Sequence, residues 1–335
     1  MPTIDADAHV IETDETWSYM TPDERKCLTK AVTPSGEDLW VIDGRAFVRR
    51  RNVGQDTTVD AQEMRDVPGR LRHMDALGVD IQVLYPSLFL IPITTRPDTE
   101  VAMYRSYNRW LADIWSRGGG RLRWAAMVPT LVMEEALAEA RWAKEHGACA
   151  IFVRGIEAGR YLSDPYFFPL YEEASRLDLP ICLHAGASHF AMHEVPGAES
   201  IHKFKVPVFC AFDSLICSEV PVRFPRLRFG FIETSAQWVP YVLHQIRRRF
   251  AVRGRPFNEH VVRDYRLYIA CETHDDLPYI LRYTGEDNLV LGTDYGHSDP
   301  TTELDALRRL REQGTLSPET ARKILDDNPR ALYGL

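Results

Sequence analysis

Several absences narrow this sequence before any motif does. No apolar run approaches the ~20 residues needed to cross a bilayer as a helix. Met1-Pro2-Thr3 leads straight into strand-like residues, with no basic and apolar preamble, so no secretory leader is expected. The six cysteines (Cys27, Cys149, Cys182, Cys210, Cys217 and Cys271) contain no C-x-x-C spacing. Cys149, Cys182 and Cys271 stand inside apolar runs, where the thiol reads as a small buried hydrophobe. A reducing cytoplasm is the expected location. Positive charge is in deficit: 40 Lys and Arg against 48 Asp and Glu leave a net charge of −8. That balance speaks against nucleic acid or an anionic membrane as a partner. The basic runs Arg49-Arg50-Arg51 and Arg247-Arg248-Arg249 read as solvated faces. There is no internal repeat or low-complexity tract, and no Gly-rich phosphate loop follows the first strand.

What is present fits a soluble globular chain with a real core, at 45% hydrophobic and 26% charged residues. A length of 335 residues suits one α/β barrel domain spanning 1–335. Eight strands are read, each trailed by a helix-like stretch: Ile4–His9, Val79–Tyr85, Arg123–Val128, Ala148–Arg154, Pro180–His184, Leu227–Glu233, Leu267–Cys271 and Asn288–Asp294. Most are continuous apolar runs, as expected when helices cover one face and a packed interior the other. Met133–His146 carries apolar residues at helical spacing and stops at Gly147. Tyr166–Leu177 follows Asp164-Pro165, an N-cap and first-turn proline, and Ser317-Pro318 opens a later helix the same way. The expected fold is a (β/α)8 TIM barrel; a doubly wound open sheet is the alternative. Two insertions, about 13–65 and 185–226, leave from strand C-terminal ends and would roof the active face. The first holds a β-hairpin signal at Asp43-Gly44, and the second reads as a long loop plus helix.

The first strand, Ile4-Asp5-Ala6-Asp7-Ala8-His9, ends in side chains that bind metals. Strand alternation puts Asp5, Asp7 and His9 on one face. His184 ends the fifth strand and Asp294 the eighth. Singly, Asp7 could cap a turn, His9 could be a satisfied core histidine, and Asp294 could bond a loop. Asp7, His9, His184 and Asp294 together, all at strand C-terminal ends where barrel enzymes do their chemistry, point to one divalent metal ion. Two carboxylates and two imidazoles suit zinc first, with manganese or iron as alternatives, and are too nitrogen-rich for calcium or magnesium.

The ordered motifs resemble the amidohydrolase superfamily, in the amidohydrolase-related branch that includes aminocarboxymuconate-semialdehyde decarboxylase and the resorcylate-type decarboxylases. They are Asp5-Ala-Asp-Ala-His-Val-Ile-Glu, Arg72-His-Met-Asp-Ala-Leu-Gly-Val-Asp, Leu183-His184-Ala-Gly and Phe224-Pro-Arg-Leu-Arg-Phe-Gly-Phe-Ile-Glu233 with Trp238-Val-Pro-Tyr241. They continue with Leu291-Gly-Thr-Asp294-Tyr-Gly-His297-Ser-Asp299 and end with Asn328-Pro-Arg-Ala-Leu-Tyr-Gly-Leu. The resemblance implies a (β/α)8 fold, one metal on Asp7, His9, His184 and Asp294, and a homodimer. Two departures matter. Many relatives carry His-x-His on the first strand, where this chain has Asp7-x-His9; decarboxylases with Glu-x-His are nearer. Better-known members end the sixth strand in histidine, where this chain has Glu233.

Around that centre, Glu233 is expected to share a face with Phe229 and Phe231 and to act as acid, base or a carboxylate orienting a metal-bound histidine. His297 is a candidate proton shuttle, or a loop histidine bonding Asp299. Glu12 is expected to steady the first-strand loop. Of His189, His193 and His202, at least two read as surface or packing residues. Arg154, ending the fourth strand, could clamp a substrate carboxylate or pair with a neighbouring acid. Trp238, Tyr241, Tyr295, Phe190 and Tyr85 are expected near the mouth and would suit a small planar substrate. The function read from sequence is hydrolysis of a small organic acid or aromatic metabolite by a metal-bound water, or the reverse condensation, with Asp294 taking the proton. Glu233 or His297 would then serve the leaving group. The alternative is non-oxidative decarboxylation of a hydroxylated aromatic or related acid. A metal-free binding barrel ranks last.

Overall fold

The computed structural model describes residues 2–50, 52–186, 188–190 and 201–335. Each predicted strand forms, with ends shifted by at most three residues: β1 Ile4–Val10, β2 Ile81–Pro86, β3 Leu122–Met127, β4 Ala148–Arg154, β5 Ile181–His184, β6 Phe229–Ile232, β7 Leu267–Cys271 and β8 Leu289–Leu291. They pair in sequence order in a single parallel sheet. Such a sheet needs crossovers, and a helix follows each strand. These are α1 Val67–Leu77, α2 Pro97–Arg117, α3 Met133–Glu145, α4 Phe168–Leu177, α5 Val206–Cys217, α6 Val239–Val252, α7 Leu277–Thr284 and α8 Ala306–Glu312. The local signals act as expected. Gly147 adopts φ +91° just past α3, Asp164 accepts from the Tyr166 amide, and Ser317 accepts from the Thr320 amide. Cys149, Cys182 and Cys271 are buried free thiols.

The chain after β8 folds back on β1 and closes the barrel. The amides of Thr293 and Asp294 donate to the Asp7 carbonyl at 3.2 and 3.0 Å, and the His9 amide donates to the Tyr295 carbonyl at 2.8 Å. Gly292 makes this approach possible, because a Cβ there would lie 2.3 Å from the Asp7 Cβ. Asp5 departs from the expected common face with Asp7 and His9. The β1–β2 register shifts between Asp5 and Ala8, which breaks strict alternation. The Asp5 carboxylate turns into the seam instead, accepting from the Thr293 amide (2.9 Å), the Thr293 hydroxyl (2.7 Å) and the Gln82 amide (2.9 Å). Below the seam, α9 (Asn328–Tyr333) plugs the interior: Tyr333 donates to the Ala6 carbonyl at 2.7 Å and its hydroxyl lies 2.9 Å from that of Tyr85.

Both insertions reach the rim. In the first, Asp43 and Gly44 both take positive φ (+47° and +80°), as a type I′ hairpin requires. The hairpin Asp38–Ile42/Arg45–Val48 gains a third strand, Leu28–Val32, whose mostly exposed residues carry little apolar signal. The segment after it clamps the loop beyond β8: the Gly54 amide donates to Gly296 and the Ser298 amide to Asn52. In the second, Ile201–Phe204 precedes α5, and the Gly186 amide donates to Phe204. No helix among the described residues is long and apolar enough to cross a membrane.

Candidate metal centre

Strand ends bring the four expected ligands together. Asp7 and His9 close β1, His184 closes β5, and Asp294 follows β8 in a left-handed conformation (φ +52°). His184 Nε2 lies 3.2 Å from Asp7 Oδ1, and His9 Nε2 lies 3.5 Å from that oxygen and 3.3 Å from Asp294 Oδ1. The opposite ring nitrogens are committed. His9 Nδ1 faces the Pro86 carbonyl at 3.0 Å and His184 Nδ1 faces the Ala185 carbonyl at 2.9 Å. A carbonyl only accepts, so each Nδ1 carries a hydrogen, and a ring in its neutral form then turns an Nε2 lone pair toward the carboxylates. Burial, with His297 and His184 adding, holds the His9 pKa well below the usual histidine range and keeps it in that neutral form.

Lone pairs facing lone pairs in a dry interior are unfavourable unless a cation sits among them. His9 Nε2 is buried without a hydrogen-bond partner, 3.3 Å from Asp294 Oδ1. Burial raises the Asp294 pKa, and burial with the neighbouring Asp294, Asp299 and Asp7 raises that of Glu233 well above the carboxylate range. Excess negative charge and orphaned donor atoms are the conditions a divalent ion relieves. Asp7, His9, His184, Glu233, Asp294, His297 and Asp299 fall into overlapping groups with metal-binding spacing. The residues fit a divalent metal.

Glu233 reaches this cluster by a different route from the one expected. Phe229 and Phe231 point outward, packing on Tyr171 and Phe212 beneath the helices. The strand ends at Ile232, and Glu233 at φ +55° swings its carboxylate inward to 3.3 Å from His184 Nδ1. Thr301 donates to Glu233 Oε1 at 3.0 Å, and Thr302 to Asp294 Oδ2 at 2.6 Å. His297 stacks on His9, centroids 3.8 Å apart, with Nδ1 2.9 Å from Asp294 Oδ1. Its Nε2 lies 2.8 Å from Ser87 Oγ, and Ser87 gives its own hydrogen to the Val10 carbonyl. Nε2 must therefore be the donor in that pair. Burial pulls the His297 pKa down, but Asp294, Asp299 and Asp7 outweigh it and the net shift is upward. Glu12 accepts from the amides of Ser87 and Leu88 at 3.1 and 3.0 Å, tying β1 to the loop after β2.

Other expected residues stand elsewhere. Arg154 is spent in a buried network with Glu157 (2.5 Å), the Phe89 carbonyl (3.0 Å) and the Tyr104 hydroxyl (3.2 Å). Trp238 stacks on Phe209, centroids 4.5 Å apart, between β6 and α5. Tyr295 is a correction to the expected mouth lining. Backbone pairing of its carbonyl with His9 turns the ring away from the cluster and under the Arg70 guanidinium, at 3.4 Å. Tyr85 is buried but does stand beside the cluster, its ring centroid 5.0 Å from that of His184; Tyr241 is exposed on α6, and Phe190 sits beneath Arg45. His189 and His202 are exposed; His193 lies outside the described residues. Sequence reasoning missed Ser87, Thr301 and Thr302. Asp299, expected as a candidate partner of His297, instead accepts from the Asn52 side chain (2.7 Å) and the Thr301 amide (2.8 Å).

Known proteins share the sequence pattern and the fold. A family model for amidohydrolases matches residues 4–335. A 2-amino-3-carboxymuconate-6-semialdehyde decarboxylase from Dictyostelium discoideum is 24% identical over 281 residues, covering 79% of this chain and 76% of that protein. Among solved structures, an amidohydrolase from Mycobacterium avium subsp. paratuberculosis K-10 superposes with a TM-score of 0.84 at 19% identity, covering 100% of this chain and 98% of that one. The 5-carboxyvanillate decarboxylase of Novosphingobium aromaticivorans, complexed with manganese and 4-hydroxy-3-methoxy-5-nitrobenzoic acid, gives a TM-score of 0.68 at 21% identity over 79% of each chain. With the match running from the first strand to the last residue, over a barrel whose rim gathers these metal-ligating side chains, the chain belongs to the amidohydrolase family.

Proposed function

We propose that this enzyme is a metal-dependent, non-oxidative decarboxylase of a hydroxylated aromatic or related carboxylic acid. This reverses the order read from sequence, where hydrolysis stood first. The observation that carries it is His297, held between two acceptors. Nε2–H is donated to Ser87, and Nδ1 stands 2.9 Å from the Asp294 carboxylate. Both nitrogens facing acceptors stabilise the imidazolium, so the group beside the centre is an acid. Decarboxylation needs an acid there as its one proton donor, whereas in hydrolysis an acid would serve only the leaving group after Asp294 had activated water. The decarboxylase from Dictyostelium discoideum, similar over most of the chain, supports the same reading.

Asp7, His9, His184 and Asp294 would hold the ion, zinc first and manganese or iron(II) next. Bound there, it would supply positive charge to hold the substrate's carboxylate. His297 delivers its proton to the ring carbon bearing the carboxylate. The carbon–carboxyl bond then breaks, its electron pair returns to the ring, and CO₂ leaves. Glu233, hydrogen-bonded by Thr301, orients His184 from its Nδ1 side. Arg154, engaged by Glu157, is not assigned the carboxylate clamp. Hydrolysis keeps one specific support, the carboxylate of Glu233 where relatives have histidine. The deciding experiment incubates metal-reconstituted protein with a panel of hydroxybenzoates and, separately, with amides and lactones. CO₂ release is expected; hydrolysis without CO₂ would restore the original order.

A further inference from the structure

Arg70, on α1, is fully buried, and its hydrogen bonds go to neutral groups. Nε donates to Gln82 Oε1 at 2.7 Å, Nη1 to the Ala61 carbonyl at 3.3 Å, and both Nη1 and Nη2 to the His9 carbonyl at 3.3 Å. The guanidinium lies flat on the Tyr295 ring, 3.4 Å from its centroid. The carboxylate of Asp5 is reached only through Gln82, whose Nε2 donates to it at 2.9 Å. Burying a cation without a carboxylate in contact is unfavourable, and burial pulls the Arg70 pKa down to about 10. A helix could be pinned to a barrel by apolar packing at no such cost.

What distinguishes Arg70 is what it grips. One contact is the backbone oxygen of His9, and the other is the ring of the residue that follows Asp294. These two candidate ligands come from opposite ends of the chain and meet only where the barrel closes. We infer that Arg70 is a positioning residue for the metal centre, its planar fork setting the spacing of His9 and Asp294 across the seam. The inference rests on the metal reading given above. A planar guanidinium can bond two carbonyls and an amide while stacking on a ring; an ammonium at the same site cannot.

The test compares Arg70→Met, Arg70→Lys and a core variant, Leu111→Ala on α2, with the wild type. Two quantities are read: Mn²⁺ and Zn²⁺ affinity by competition with a chelating dye, and the visible spectrum of the Co²⁺-substituted protein. Partners that orient a ligand change metal affinity by about tenfold or more when removed. Both Arg70 variants are expected to bind metal at least that much more weakly and to alter the Co²⁺ spectrum. Leu111→Ala should lose thermal stability yet bind metal as the wild type does. If Arg70→Met fails to fold, Arg70→Lys, which keeps charge and size, decides. Wild-type affinity and spectrum in the Arg70 variants, or losses matched by Leu111→Ala, would overturn the inference. A wild type that takes up no metal would defeat the metal reading itself, and this inference with it.

Discussion

His9 and His184 each commit one ring nitrogen to a backbone carbonyl and leave the other facing carboxylates. Protonating either ring at the open nitrogen would break no existing bond, so the cluster competes for protons as well as for metal. Asp294 is the pivot, its Oδ1 facing His9 and His297 while Oδ2 is held by Thr302. Asp294→Asn keeps the shape and removes the charge. It should weaken metal binding by at least ~10-fold, read by equilibrium dialysis. His297→Gln should leave metal content near wild type but lower CO₂ release by ~10²-fold or more, the usual contribution of a general acid. Equal losses of metal and turnover in His297→Gln would move that residue from proton donor to ligand. Asp7, His9, His184 and Asp294 were legible because metal-binding types recurred at strand ends. Ser87, Thr301 and Thr302 were not, because a hydroxyl in a loop has no periodicity and its role depends on what the fold sets opposite it.

Among the elements, the strands were the clearest part of the sequence. A strand covered by helices outside and packed residues inside must be apolar on both faces, and that leaves a continuous run. Leu28–Val32 escaped notice because its exposed edge position asks for no such run. Alternation misled twice, at Asp5 and at Glu233. A register shift in β1 and a left-handed residue after β6 each reset which side chain faces the centre. The seam between β8 and β1 is the joint on which the site depends. Gly292→Ala puts a methyl 2.3 Å from the Asp7 Cβ. The strands must part, at ~1–3 kcal/mol for an overpacked site. Thermal unfolding should show that loss, and metal affinity should fall with it. A variant of unchanged stability and affinity would show that the seam yields freely.

At the scale of the whole molecule, buried carboxylates govern the pH response of the metal-free protein. Burial raises the Glu12 pKa from 4.5 to about 7 and that of Glu100 from 4.5 to about 8. Acids whose folded pKa is raised stabilise the fold fully below the unfolded value and lose that contribution as pH climbs through the folded one. For Glu12 the interval from 4.5 to about 7 is worth about 3 kcal/mol. Metal-free protein should therefore melt at a higher temperature at pH 5 than at pH 8, in thermal scans at constant ionic strength. A melting temperature that rises from pH 5 to pH 8 would contradict this assignment. Bound metal adds a separate stabilisation that grows with its free concentration, so chelation should lower the melting temperature and re-addition restore it.

The central claim is that Asp7, His9, His184 and Asp294 together hold one divalent ion. Its most direct measurement is metal content per chain after reconstitution with Zn²⁺, Mn²⁺ or Fe²⁺ and removal of excess, for the wild type and Asp294→Asn side by side. The account predicts one ion per wild-type chain with at least one of these metals, and a marked loss in the variant. A wild type that retains none of the three, or a variant that holds its ion as tightly as the wild type, would contradict it.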